Sequence, residues 1–125
     1  MLVYFYEKRS DNLNRYNIPS PIATVINWSY CVSNGYLVFI PDVVFRKGEP
    51  GASSYDAVVS GVKSLIDRYD FIDKDRIALN GHSWGGYQIA FLVTRTNMFK
   101  AAVSGAPVVN MTSAYGGIRW ESGKS

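Results

Sequence analysis

Residues 77–87 read Ile-Ala-Leu-Asn-Gly-His-Ser-Trp-Gly-Gly-Tyr, and this stretch decides the fold. Its apolar start, from Ile77 to Leu79, is typical of a buried strand, and the residues from Tyr87 onward are compatible with a helix. A Gly-x-Ser-x-Gly turn lies between them. Such a sharp turn crowds the backbone, which is tolerated only where the neighbouring residues have no side chains. The pattern predicts a strand–turn–helix elbow that exposes the hydroxyl of Ser83.

Three glycines provide the clearance for this turn. Gly81 and Gly85 flank the serine within the motif, and Gly86 extends the clearance into the first helical turn. A serine in this setting is typical of the nucleophile of an α/β-hydrolase, which stands at the carboxyl edge of the sheet. We therefore expect Ser83 to be a nucleophile and not part of an incidental glycine turn.

The composition indicates one globular domain. Of 125 residues, 47% are hydrophobic and 18% are charged, which is enough apolar side chain for a core and too little charge for a disordered chain. The net charge of +3 comes from scattered basic residues, so we expect neither nucleic acid nor a membrane as a partner. One histidine and one cysteine cannot form a metal site, and we expect no metal and no cofactor.

Strand and helix signals alternate along the chain. A short helix is expected at about 22–33, followed by an Asn-Gly stop signal, and a longer helix is expected from Tyr55, where apolar residues recur at helical spacing. Polar residues, prolines and glycines mark 7–21 and 46–54 as loops. The predicted strands are Leu2–Tyr6, Tyr36–Ile40, Arg76–Asn80 and Ala101–Gly105, and the elbow helix is expected to end near Thr96.

This alternation predicts an α/β fold. Strands joined through helices run parallel, and continuous apolar strands are expected where helices cover both faces of a sheet. We therefore expect a mostly parallel sheet with helices on both faces, the architecture of an α/β-hydrolase. Function collects at the carboxyl ends of such strands. Ser83, the loop 41–54 and the segment after Tyr6 are all predicted to lie at that edge.

Four segments share their order and spacing with one known family. They cover about residues 2–111, and they are the opening strand Leu2–Tyr6, the strand and loop from Phe39 to Gly48, the run Gly81–Tyr87 and the segment Phe99–Pro107. Together they resemble the catalytic domain of the prolyl oligopeptidase family of serine peptidases. The run Gly81–Tyr87 is similar to the nucleophile motif of that family, which favours a second glycine and a bulky residue after the serine.

The resemblance implies a peptidase of the prolyl oligopeptidase, dipeptidyl peptidase or acylaminoacyl peptidase type, with a peptide substrate and an acyl-enzyme on Ser83. A serine hydroxyl needs a base to accept its proton and donors to stabilise the oxyanion. One donor in such elbows is the N–H of the next residue, here Trp84. The second, as the resemblance implies, is the phenol of Tyr6. A packing role for Tyr6 stays open, because Tyr4 lies two residues earlier on the same face.

The rest of the triad departs from the pattern. In α/β-hydrolases the acid and the histidine follow the nucleophile along the chain, whereas no histidine follows Ser83 and Glu121 is the only acid after it. His82 adjoins the serine and is expected to point away from it around the sharp turn, which makes it a poor base. We expect Glu121 at the surface, Asp42 at a strand end, and Asp56 in the first turn of a helix, where its charge suits the helix dipole.

We therefore expect residues 1–125 to be part of an α/β-hydrolase catalytic domain that lacks the C-terminal part carrying the acid and the histidine. Alone, such a chain is expected to be inactive. Two classes of function stay open. The chain belongs either to a serine hydrolase, which is a peptidase or an esterase of the same fold, or to a non-catalytic interaction domain that has lost its triad. The intact serine in a strained turn favours the hydrolase.

Overall fold

A four-stranded, entirely parallel sheet forms the centre of the computed structural model, which describes residues 1–19, 25–117 and 123. The strands are β1 (Leu2–Tyr4), β2 (Val38–Phe39), β3 (Ala78–His82) and β4 (Ala101–Gly105). The helices around them are α1 (Trp28–Ser33), α2 (Pro50–Arg68), α3 (Trp84–Val93) and α4 (Met111–Tyr115), with a short 3-10 helix at Ser10–Asn12. The predicted α/β class is confirmed.

The strand order β2-β1-β3-β4 brings the ends of distant chain segments together. Leu2 pairs with Val38 on one side and with Ala78 on the other. At the far end of the sheet, His82 pairs with Gly105. Because every pair is parallel, the carboxyl ends of all four strands lie at one edge. The segments that follow β1, β3 and β4 therefore meet there.

The hydrophobic core lies where α2 and α3 pack on each other and on the sheet. The buried apolar side chains at its centre include Val3, Val58, Val62, Leu79, Ile89 and Leu92. The apolar stripe predicted from Tyr55 onward accounts for the two valines of α2 in this set. Burial of each such side chain contributes roughly 1.5–3 kcal/mol. The core therefore stabilises the packing of β3 and α3, the two elements on either side of the turn at Ser83.

Helix α2 begins earlier than its apolar period predicts, so residues 50–54 are helical and are not a loop. Pro50 takes the first helical position, where its missing N–H is no loss. The hydroxyls of Ser53 and Ser54 donate to the carbonyls of Glu49 and Pro50 at 2.7 and 2.8 Å, which satisfies them inside the helix.

The earlier start also corrects the role expected for Asp56. This residue lies beyond the first turn of α2, so the predicted helix-dipole interaction is wrong. Asp56 instead accepts a hydrogen bond from the guanidinium of Arg46 at 2.8 Å. Both side chains are largely exposed, so this ion pair contributes little to stability.

Helix α1 is shorter than predicted. Residues 25–27 are not helical, and residues 22–24 lie outside the described part of the chain. The side chain of Asn27 caps the helix by accepting a hydrogen bond from the N–H of Tyr30 at 2.9 Å. The predicted stop is confirmed, because Asn34 follows the last helical residue and Gly35 has a φ of 82°.

Three of the four strands differ from their predicted boundaries by a few residues, because pairing with neighbouring strands determines where each strand begins and ends. Strands β1 and β2 end sooner than their apolar runs, and β3 covers residues 78–82 where 76–80 was predicted. Helix α3 ends at Val93, and α4 was not predicted. Strand β4 has the predicted bounds. No helix in the described residues combines the length and apolar character needed to cross a bilayer.

Candidate active site

Ser83 lies at the turn between β3 and α3 in a strained backbone conformation. Its φ of 56° and ψ of −111° fall in a region that residues with side chains rarely adopt. Its N–H donates to the carbonyl of Gly105 at 2.8 Å, and its carbonyl accepts from the N–H of Tyr87 at 3.0 Å. The turn is thus held by the neighbouring strand on one side and by the first helical turn on the other.

The glycines around Ser83 leave no room for side chains. A Cβ atom on Gly81 would lie 2.9 Å from the carbonyl of Gly85. A Cβ atom on Gly85 would lie 2.7 Å from the carbonyl oxygen of Phe5, and one on Gly86 would lie 2.7 Å from that of Gly105. All three contacts are with backbone, which cannot rotate away as a side chain can. These glycines allow the elbow to pack against both neighbouring strand ends.

Substitution of Gly85 by alanine is expected to lower the free energy of unfolding by about 1–3 kcal/mol, because the new methyl group would push the end of β1 away from α3. Urea unfolding followed by circular dichroism measures this change. Gly116→Ala is the matched control, since its φ is −85° and a Cβ atom there meets nothing nearer than 3.9 Å. Equal stability of the two variants would contradict the tight packing of the elbow.

The start of α3 offers backbone donors beside the serine. The first N–H that bonds back into this helix is that of Tyr87, and the N–H of Trp84 has no hydrogen-bond partner among the described residues. Helix N-termini also carry the positive end of the helix dipole. The Trp84 N–H is therefore available to an oxygen atom that gains negative charge next to Ser83.

Tyr6 lies beside this elbow, just after β1. The Cδ2 atom of its ring is 3.6 Å from the position that a Cβ atom on Gly85 would take. The guanidinium of Arg9 lies 5.6 Å from the ring centroid, and the Tyr6 carbonyl accepts a hydrogen bond from Nε2 of Gln88 at 2.5 Å. The sheet edge therefore brings the Tyr6 ring, the Trp84 N–H and Ser83 together.

Burial separates Tyr6 from Tyr4, which the sequence alone could not do. Tyr4 is 2% exposed and its ring packs at 6.1 Å from that of Trp28, and burial raises the pKa of its phenol. Tyr6 keeps partial exposure and borders the elbow glycine. Tyr4 is a core residue, whereas Tyr6 stands at the accessible edge of the sheet.

The loop after Tyr6 is fastened by Asp42, at the carboxyl end of β2. Its Oδ1 accepts from the N–H of Arg9 at 2.6 Å and from that of Ser10 at 2.8 Å. Hydrogen bonding by Ser10, and then by Arg9, lowers the pKa of the Asp42 carboxyl, so the carboxylate stays ionised at neutral pH. The sequence predicts Asp42 at a strand end. Its two hydrogen bonds attach the segment at Arg9 and Ser10 to that end.

His82, the single histidine of the sequence, lies against the neighbouring strand β4. Nδ1 of His82 lies 3.1 Å from the position of a Cβ atom on Gly105, so the imidazole rests against β4. Within the described ranges, no three His, Cys, Asp or Glu side chains are grouped for a metal. Glu121 lies outside the described residues.

An aromatic cluster stands next to the serine, and the sequence reasoning missed part of it. The Trp84 ring stacks on that of Tyr87 at 4.7 Å and 19°, and Phe45 contacts Trp84 edge-on at 6.0 Å. The side chain of Trp84 thus covers the start of α3, while its N–H remains at the elbow. Phe45 belongs to the loop 41–54, which was predicted at this edge, but the sequence gave no indication that its ring contacts Trp84.

The sequence of this chain is similar to that of known peptidases. The family model described as the prolyl oligopeptidase family matches residues 24–122. Human dipeptidyl peptidase 8 is 43% identical over 63 residues, and the mouse protein is 41% identical over 63 residues; each match covers 50% of this chain and 7% of the relative. The uncharacterized peptidase YuxL of Bacillus subtilis (strain 168) is 37% identical over 70 residues, or 56% of this chain and 11% of the relative.

The chain thus spans only a small part of the length of these relatives. The family model, in contrast, covers most of the chain, including the elbow, the loop after β2 and β4. The predicted resemblance is confirmed by this match. The chain belongs to the prolyl oligopeptidase family.

Proposed function

We propose that this chain is part of the catalytic domain of a serine-type peptidase, which cleaves peptide bonds through an acyl-enzyme on Ser83. The observation that carries the proposal is the positive φ of Ser83 in a turn walled by glycines. Such strain costs on the order of 1–3 kcal/mol and persists where it serves a site. A domain that only binds a partner has no use for it.

The chemistry follows from the groups at the sheet edge. Oγ of Ser83 attacks the carbonyl carbon of the substrate while a base accepts the hydroxyl proton. The Trp84 N–H and the Tyr6 phenol stabilise the oxyanion that forms. The protonated base then returns its proton to the leaving amine, and an acyl-enzyme remains on Ser83. Water hydrolyses this ester with the help of the same base.

The base and its acid come, in this proposal, from residues outside these 125. The chain has a single histidine, and His82 rests against β4. We use the term complete protein for the polypeptide that holds this chain together with the proposed acid and histidine. The relatives named dipeptidyl peptidase 8 and peptidase YuxL support a peptide as the substrate.

Tyr6→Phe in the complete protein is expected to lower kcat for a chromogenic dipeptide amide by about tenfold to a thousandfold, because one oxyanion donor is lost. The KM should change little, since the donor acts mainly in the transition state. Tyr16→Phe is the matched control, as Tyr16 is 84% exposed. Equal rates for Tyr6→Phe and the unmodified protein would contradict the oxyanion role.

The same assay separates the classes of function. Hydrolysis of both the amide and a matched ester supports a peptidase. Hydrolysis of the ester alone would indicate an esterase of the same fold. A complete protein that hydrolyses neither substrate would indicate a non-catalytic domain.

A further inference from the structure

Helix α3 carries a fully buried polar side chain on an otherwise apolar inner face. Gln88 is 0% exposed, and the buried residues after it are Ile89 and Leu92. A buried amide is unfavourable unless its polar atoms are bonded. Because an apolar side chain would fit this face, the amide needs a separate explanation.

The amide of Gln88 uses only one of its two polar ends. Nε2 donates to the carbonyl of Tyr6 at 2.5 Å, whereas Oε1 is buried without a partner in the described part of the chain. The Tyr6 carbonyl has no partner in the sheet, since the pairing of β1 with β3 ends at Tyr4. Gln88 thus supplies the donor that this carbonyl needs, while its own oxygen stays unsatisfied.

The bond from Gln88 joins α3 to the residue whose ring lies beside the elbow. Gln88 lies four residues after Trp84, and residues at this spacing share one face of a helix. The same helix touches the end of β1 at Gly85, close to the carbonyl of Phe5 and the ring of Tyr6. A bond to the Tyr6 carbonyl fixes the peptide plane after Tyr6, and with it the placement of the ring against Gly85.

We infer that Gln88 is a positioning residue that fixes Tyr6 relative to the elbow, so that both oxyanion donors are held by one helix. The inference rests on the function proposed for Ser83 and Tyr6. It adds a residue that touches neither the substrate nor the reacting atoms. Its effect reaches the reaction only through the Tyr6 hydroxyl.

A double-mutant cycle in the complete protein tests this route. Gln88→Met keeps the length of the side chain and removes the donor, and it is expected to lower kcat by about tenfold to a hundredfold with little change in KM. In a Tyr6→Phe background the same substitution should cost less than about twofold, because the hydroxyl it positions is gone. Equal losses in both backgrounds would overturn the inference, since a merely structural role acts in either.

Ser54→Ala is the matched control for general destabilisation. Ser54 is also fully buried, and its hydroxyl donates to the carbonyl of Pro50 on α2, away from the site. Thermal unfolding of this variant and of Gln88→Met measures how much a buried donor contributes to stability. Gln88→Leu, a second variant without a donor, provides the same cycle where Gln88→Met does not fold.

A spectroscopic measurement decides the inference without activity. In protein labelled with ¹³C at tyrosine rings, Gln88→Met or Gln88→Leu should shift the ring resonance of Tyr6, assigned through Tyr6→Phe, and leave that of Tyr16 unchanged. An unchanged Tyr6 resonance would overturn the positioning role. A shifted resonance in a protein that hydrolyses neither amide nor ester would instead contradict the proposed function and retain the positioning of Tyr6.

Discussion

Ser83→Ala in the complete protein is expected to lower kcat for a dipeptide amide by about a million-fold, as loss of the nucleophile does in serine peptidases. Without Oγ no acyl-enzyme can form, and the remaining donors supply only a small part of the rate enhancement. Serine and alanine both carry a Cβ atom, so the strain at φ 56° is unchanged and the elbow should persist. The measurement is the steady-state rate of amide hydrolysis.

Ser60→Ala is the control for the Ser83 substitution. Ser60 lies on the exposed face of α2, where its hydroxyl donates to the carbonyl of Asp56. This variant should keep the activity of the unmodified protein. If Ser83→Ala kept more than about one per cent of the activity, the hydrolysis would not pass through an acyl-enzyme on this residue.

The 125-residue chain alone is expected to show no peptidase activity above the uncatalysed rate. Its only histidine rests against Gly105, and removal of the base costs about as much as removal of the nucleophile. Because the two groups act as a unit, Ser83→Ala should change nothing further in the short chain. Comparison of amide hydrolysis by the short chain and by the complete protein measures the effect.

This comparison requires the short chain to be folded and monomeric. Strand β4 is at the edge of the described sheet and its Val103 is 58% exposed, which favours self-association. Size-exclusion chromatography and circular dichroism provide the check. Activity in the short chain that disappears with Ser83→Ala would reveal a base within these residues, and His82→Gln would then identify it.

The parts of the fold that the sequence predicts are those set by local chemistry. The apolar run before Gly81 and the glycines after it specify a strand, a turn and a helix within a few residues, and this description needs no distant partner. Ala101–Gly105 has its predicted bounds because it pairs along its whole length with β3. The alternation of such units leaves few arrangements other than a parallel sheet.

The differences between the predicted and observed elements come from contacts between distant parts of the chain. The Pro-Gly pair at 50–51 is typical of a loop, yet proline is also favoured at the first position of a helix, and packing of Gly51 against Phe91 decides in favour of the helix. Strand β2 is shorter than its apolar run because only Val38 and Phe39 find partners in β1. Because α2 was predicted to begin at Tyr55, Asp56 was wrongly expected in its first turn.

The elbow could be located from the sequence, but the residues that support it could not. The bond between Gln88 and Tyr6 joins positions 82 apart, and the bonds of Asp42 to Arg9 and Ser10 span 33 and 32 positions. No periodicity encodes such pairs, because the order of strands in the sheet creates them. Alternate residues of a strand share a face, so the sequence predicts Tyr4 and Tyr6 on the same face. Only the structure shows that Tyr4 is buried and Tyr6 partly exposed.

Covalent labelling tests the central claim most directly. A dipeptidyl diphenyl phosphonate reacts with an activated serine, whose Oγ bonds to phosphorus as a phenolate leaves. After incubation with the complete protein and proteolytic digestion, mass spectrometry is expected to find the adduct on the peptide that contains Ser83, and no adduct in Ser83→Ala. An adduct on another residue, or amide hydrolysis that continues while Ser83 is unmodified, would contradict the assignment of Ser83 as the nucleophile.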